Sequence, residues 1–125
     1  MNTVVDTSVL IDVLRGNESA REVLRSALTA GPVHANDVTR LEVLAGMRPP
    51  EEPTTRRLLE SLSWHPLDAT IAEIAGDLAR RWRPGNTGID TPDLAIAATA
   101  QLLGARLLTR NVRHFPMIEG LTSPY

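Results

Sequence analysis

The chain has 125 residues, 42% of them hydrophobic and 22% charged, with a formal net charge of −2. That length buries one substantial core and not two, so a single domain over residues 1–125 is expected. The absence of cysteine excludes disulfides, thiolate metal centres and thiol nucleophiles, and because all 13 basic residues are arginine, Schiff-base chemistry and a phosphate-loop lysine are excluded too.

Thr3-Val4-Val5 is a β-branched run that predicts a short buried strand. Asp6-Thr7-Ser8 then supplies N-cap chemistry for a helix carrying Val9, Leu10, Val13 and Leu14. A second helix is expected from about Glu18 to Leu28, ended by Gly31-Pro32. Pro32 to Ala35 predicts another strand, and Asn36 or Asp37 caps a helix with Val38, Leu41, Glu42, Val43, Leu44 and Met47. Pro49-Pro50-Glu51-Glu52-Pro53 reads as a polar loop, Arg56 to Leu62 as a helix and Ser63 to Leu67 as a strand. Asp68 caps a helix reaching about Trp82, and Arg83 to Gly88 is a loop. Asp90-Thr91-Pro92-Asp93 opens the most apolar helix, Leu94 to Leu103, closed by Gly104. Arg106 to Thr109 is the last strand candidate, with Asn111 to Phe115 a turn beyond it. Short strands alternating with helices indicate an α/β fold with a mostly parallel sheet.

No apolar run approaches a membrane span, and no basic segment leads an apolar one at the start. A cytoplasmic protein without membrane attachment is therefore expected. The slightly acidic balance weighs mildly against a nucleic-acid partner, although a bound cation and local arginines can hold phosphates regardless.

In open α/β sheets, ligands bind beyond the carboxyl ends of the strands. Asp6 ends the first strand, Glu42 follows the second, Asp93 opens the apolar helix, and Thr109 to Asn111 leaves the last strand. Should these ends converge, three carboxylates and an amide share one cleft, and their mutual repulsion calls for a cation. Oxygen ligands without cysteine point to Mg²⁺ or Mn²⁺, which can polarise a phosphoryl oxygen and activate water against a phosphodiester.

Each residue has a plainer alternative. Asp6 caps the helix that follows it. Glu42 sits on the surface of an amphipathic helix, though the apolar residues around it leave only a narrow solvated face. Asp90 and Asp93 form a cap and its third-residue partner; Asp93 also heads a nearly wholly apolar helix, where a carboxylate is costly unless paired or metal-bound. His34 and His65 read as structural, and His114 stands near the Asn111 loop. Arg110 and Arg113 either hold phosphates or are solvated charges, and Trp64 and Trp82 read as core or interface anchors.

The segment Val4-Val5-Asp6-Thr7-Ser8-Val9-Leu10-Ile11-Asp12 resembles the opening of PIN domains. Arg40-Leu41-Glu42-Val43-Leu44-Ala45-Gly46 is similar to their second acidic segment, and Asp93-Leu94-Ala95-Ile96-Ala97-Ala98-Thr99-Ala100 to the helix bearing the third acid. Leu107-Leu108-Thr109-Arg110-Asn111-Val112-Arg113-His114-Phe115 resembles the closing strand and loop, with length and ending favouring the VapC branch. The resemblance implies a PIN-like α/β/α sandwich and a Mg²⁺- or Mn²⁺-dependent endoribonuclease, the toxin of a type II toxin–antitoxin pair that arrests growth until neutralised. It implies Asp6 and Asp93 as principal metal ligands, Glu42 as the third acid, and Ser8 or Thr7 as the adjacent hydroxyl. The fourth acidic position falls on Asn111, which puts a second metal in doubt; Asp90, one turn before Asp93, is a conjectured substitute ligand. Thr109, Arg110 and Arg113 complete the candidates as supporting or substrate-binding residues. The implied partners are a VapB-type antitoxin, RNA of the tRNA or ribosomal class, and a second copy of the chain.

Two other readings stay open. A non-catalytic binding module retaining the antitoxin interface is supported only by Asn111. A phosphotransfer domain using Asp6 as nucleophile fits poorly with the lack of lysine and with Ser8 in place of a second aspartate.

Overall fold

The structure, a computed structural model, describes residues 2–125. Strands β1 (Thr3–Val5), β2 (Val33–Asn36), β3 (Ser63–His65) and β4 (Arg106–Leu108) form one four-stranded sheet in the order β3-β2-β1-β4. All neighbours pair in parallel: Thr3 lies opposite both Val33 and Arg106, and Asn36 opposite His65. The helices are α1 (Thr7–Leu14), α2 (Glu18–Ala30), α3 (Asp37–Ala45), α4 (Glu52–Glu60), α5 (Ala69–Trp82) and α6 (Thr91–Leu103), with 3-10 turns at Pro49–Glu51 and Val112–His114. None of the described helices is long and apolar enough to cross a membrane.

Helices cover both faces of the sheet because successive strand side chains leave opposite faces and both sets here are apolar. Val4 joins Ile71, Leu78, Leu94, Ile96 and Leu107 against α5 and α6. Val5 joins Val9, Leu10, Leu24, Leu59 and Leu108 against α1, α2 and α4. Each fully buried side chain of this size contributes roughly 1.5–3 kcal/mol. Phe115, just past the last turn and buried, pins the loop beyond β4 into the first of these layers.

Several boundaries differ from the sequence expectation. Helix α4 starts at Glu52 rather than Arg56. Pro53 stands in its first turn, where a missing N–H costs nothing, and the preceding prolines form a 3-10 turn closed by the Arg48 N–H on the Glu51 carboxylate (2.7 Å). Strand β2 is shifted to Val33–Asn36, and β3 stops at His65 because Pro66 has no N–H to continue the ladder. The apolar residues of α3 do not enclose it: Leu41 is 65% exposed.

A parallel sheet puts all its carboxyl ends at one edge, here Asp6, Asn36, Pro66 and Thr109. Helix α6 reaches β4 through Gly104–Ala105, Gly104 taking the left-handed conformation (φ +59°) that ends the helix. It therefore runs back against the strands, and its N-terminus, with Asp90 and Asp93, lies at that same edge, while the helix packs on β1, β2 and α3.

Candidate active site

Asp6 occupies the N-cap position of α1, yet its side chain makes no capping bond. Its Oδ2 instead accepts the hydroxyls of Ser8 (2.7 Å) and Thr109 (2.7 Å), and the residue is 3% exposed. The helix-cap alternative for Asp6 thus fails. The same hydroxyls fasten the loop beyond β4, since Ser8 Oγ accepts the Arg110 N–H (3.1 Å) and Thr109 Oγ1 the Asn111 N–H (3.0 Å).

On the neighbouring side, the Thr7 hydroxyl donates to Glu42 Oε1 (2.7 Å) and lies 3.1 Å from the Thr39 hydroxyl. Glu42 is half-buried and faces α1, not open solvent. Its helix is positioned by Asn36, whose side chain accepts the Val38 N–H (2.9 Å) and donates to the Thr99 hydroxyl of α6 (3.0 Å).

Asp90 and Asp93 form the expected capping box: Asp90 Oδ1 accepts the Asp93 N–H (3.0 Å), and Asp93 Oδ2 accepts the Asp90 N–H (3.1 Å). His114 Nδ1 stands 3.2 Å from Asp93 Oδ2. Burial, together with the adjacent Asp90 carboxylate, pushes the Asp93 carboxyl up to about 7, against the opposing pull of the Asp90 N–H and His114.

Two hydrogen-bonded networks line this edge as an acidic belt: Asp6 with Ser8, Thr109 and the backbone of Arg110 and Asn111, and Glu42 with Thr7 and, through it, Thr39; they are joined only through the chain at Asp6-Thr7-Ser8. Asp93, Asp90 and His114 stand at the same edge of the sheet. The Asn111 side chain is exposed and makes no hydrogen bond to the acids among the described residues. Arg113 is also exposed, and Arg110 reaches Asp12 (3.3 Å). His34 and His65 are far from this chemistry in role: they pair across β2 and β3, ring nitrogens 2.9 Å apart. Trp64 and Trp82 are half-buried anchors, Trp64 lying beneath the Arg40 guanidinium.

Among the described residues, no three acidic or histidine side chains form a ligand-spaced cluster. Each carboxylate is turned toward its own hydroxyl or amide donors. The donor set nevertheless fits a hard divalent cation. Asp6, Glu42 and Asp93 offer only oxygen, and the buried Asp93 carboxyl resists ionisation in a way that an adjacent cation reverses.

Sequence reasoning passed over three participants: Thr39, Asp12 and Tyr125. Asp12 is buried, with the Tyr125 hydroxyl donating to its Oδ2 (2.6 Å). The cost of a carboxylate between Ile11 and Val13 was a usable signal for Asp12; nothing local marks Tyr125. Away from the acids, a groove between α1, α2 and α4 is lined by Val13, Leu14, Leu24, Leu28, Arg25 and Arg57.

The family profile for the PIN domain matches residues 3–120. The chain is similar to ribonuclease VapC19 of Mycobacterium tuberculosis, at 41% identity over 123 residues and 98% of each chain. It is likewise similar to ribonuclease VapC10 of the same organism, at 43% identity over 122 residues, 98% of this chain and 92% of that one. A toxin–antitoxin complex from Klebsiella pneumoniae superposes with a TM-score of 0.80 at 30% identity, covering 98% of both chains.

Proposed function

The chain belongs to the PIN-domain family, and on that premise we propose that it is a VapC-type ribonuclease, the toxin of a type II toxin–antitoxin pair restrained by a VapB-type antitoxin. The observation that carries this reading is the belt of Asp6, Thr7, Ser8, Glu42 and Thr109 along the carboxyl edge of the sheet, with Asp93 at the head of α6 beside it.

In this reading Asp6 and Asp93 hold Mg²⁺ or Mn²⁺, and Glu42 is the third acid. An ion held there would supply positive charge against a phosphoryl oxygen and would lower the pKa of water. The protein's own part is preorganisation. Ser8 and Thr109 fix one oxygen of Asp6, and Thr7 fixes one oxygen of Glu42, which limits the freedom each carboxylate would lose on binding. Asp90 serves α6 as its cap and stays outside the proposed ligand set. Asn111 adds no charge, which favours a site with few ligand charges over one built for two ions.

RNA of the tRNA or ribosomal class is the proposed substrate, and association of two copies belongs to the same proposal. The groove between α1, α2 and α4 suits an amphipathic segment of the antitoxin: its apolar floor takes leucine-like side chains and its arginine rim takes acidic ones.

The test is incubation of total cellular RNA with antitoxin-free protein, with Mg²⁺ or Mn²⁺ and with chelator, beside Asp93→Asn. Discrete fragments that require the metal and vanish in the variant are expected. Intact RNA from folded protein under every condition would sink the reading in favour of a non-catalytic module.

A further inference from the structure

Asp12 is a buried carboxylate outside the acidic belt, 5% exposed, and burial of a charge demands partners. Two groups meet it on the same oxygen. The Tyr125 hydroxyl donates to Oδ2 at 2.6 Å, and Arg110 Nη1 stands farther off at 3.3 Å. Arg110 is anchored at both ends, its N–H bonded to Ser8 Oγ and Ser8 in turn donating to Asp6. Its side chain is still 53% exposed. A guanidinium has five N–H donors, so a single long contact to Asp12 leaves most of them facing solvent at the rim of the acidic edge.

Building on the ribonuclease reading, we propose that Tyr125 and Asp12 are positioning residues that hold the Arg110 guanidinium at the mouth of the site to receive a phosphate of the RNA. Asp12 supplies the direction and Tyr125 limits the grip. The short phenol bond satisfies Oδ2 and keeps the guanidinium at the longer distance. Without it, Asp12 has Arg110 as its one strong partner, and the guanidinium closes onto the carboxylate and turns its donors inward. Burial and the bond to Asp12 raise the Tyr125 phenol above its ordinary range, so it remains a donor throughout the physiological pH range.

The experiment measures binding of a labelled single-stranded RNA oligonucleotide of mixed sequence, in chelator so that no cleavage occurs, as a function of salt. The wild-type chain is compared with Arg110→Ala, Tyr125→Phe and the double variant. One phosphate contact on a single strand changes the slope of log K against log salt by about 0.7. Arg110→Ala is expected to lose about that slope, Tyr125→Phe a similar part, and the double variant no more than either. Mere loss of a structural tether lowers the unfolding midpoint without touching the slope. An unchanged slope in Tyr125→Phe, losses that add in the double variant, or no binding by the wild-type chain at low salt overturns the proposal. Cleavage of total RNA by the wild-type chain with Mg²⁺ is run in parallel. Its absence removes the ribonuclease reading and this inference together, whereas cleavage with an unchanged slope removes this inference alone.

Discussion

Replacing Asn36 with Ala tests how α3, and with it Glu42, is held to the sheet. Asn36 is fully buried and makes two strong bonds, accepting the Val38 N–H at 2.9 Å and donating to Thr99 Oγ1 at 3.0 Å, with a weaker contact to the Pro66 carbonyl at 3.4 Å. Loss of an N-cap side chain costs about 1 kcal/mol. Loss of a buried side-chain hydrogen bond costs about another 1 kcal/mol, and the polar groups left unpaired add a further ~1 kcal/mol. The expected destabilisation is thus about 3 kcal/mol, a fall in Tm of roughly 10 °C for a chain of this size. Urea unfolding in chelator measures it free of any contribution from bound cation. Thr99→Val supplies the second arm, because it removes the acceptor of the Asn36 amide while keeping the side-chain shape. Asn36→Ala should lose about 1 kcal/mol less in that background. A loss below about 1 kcal/mol, or the same loss in both backgrounds, would refute the assignment of Asn36 as the bond between α3 and α6.

Two more outcomes follow from the same structure. In chelator, the folded chain holds a proton on Asp93 up to about 7, whereas the ordinary value is 3.8. The folded state therefore binds more protons across that window, and stability falls as pH rises through it and levels off above. Asp93→Asn should flatten that part of the urea-midpoint profile; a profile identical to wild type places the titration elsewhere. In the groove, Leu28→Asp puts a charge on the apolar floor between α1, α2 and α4. Co-expressed antitoxin should then fail to copurify while metal-dependent RNA cleavage survives, and retention of the antitoxin would move its binding face to another surface.

Much of this architecture was legible because β1 and β4 are short apolar runs, each followed at once by a polar residue. Thr3-Val4-Val5 before Asp6, and Arg106-Leu107-Leu108 before Thr109, announce both a buried strand and its functional end. Local chemistry also gave the Asp90–Asp93 capping box, since its members are three residues apart. The start of α4 was obscured because Pro49, Pro50 and Pro53 argue equally for a loop and for a helical first turn, and only packing of Leu59 decides between them. For Asp6, two roles compatible with one sequence were separated by Thr109, which arrives from 103 positions away. The bond of Glu42 to Thr7 and that of Tyr125 to Asp12 span 35 and 113 positions, beyond the reach of any periodicity.

The pairing of β1 with β4 also governs when the acidic edge is completed during synthesis. β4 and Thr109 emerge from the ribosome after all the helices and the other three strands, yet they flank β1 and complete the hydroxyl pair on Asp6. A nascent chain that has already exposed Asp6, Glu42 and Asp93 still has an unpaired edge on β1 and no Thr109. Contacts of such long sequence separation form late in folding. The acidic edge is thus completed only when β4 has joined β1, so a nascent chain that has exposed Asp6 without Thr109 does not yet hold that carboxylate by both of its hydroxyl donors.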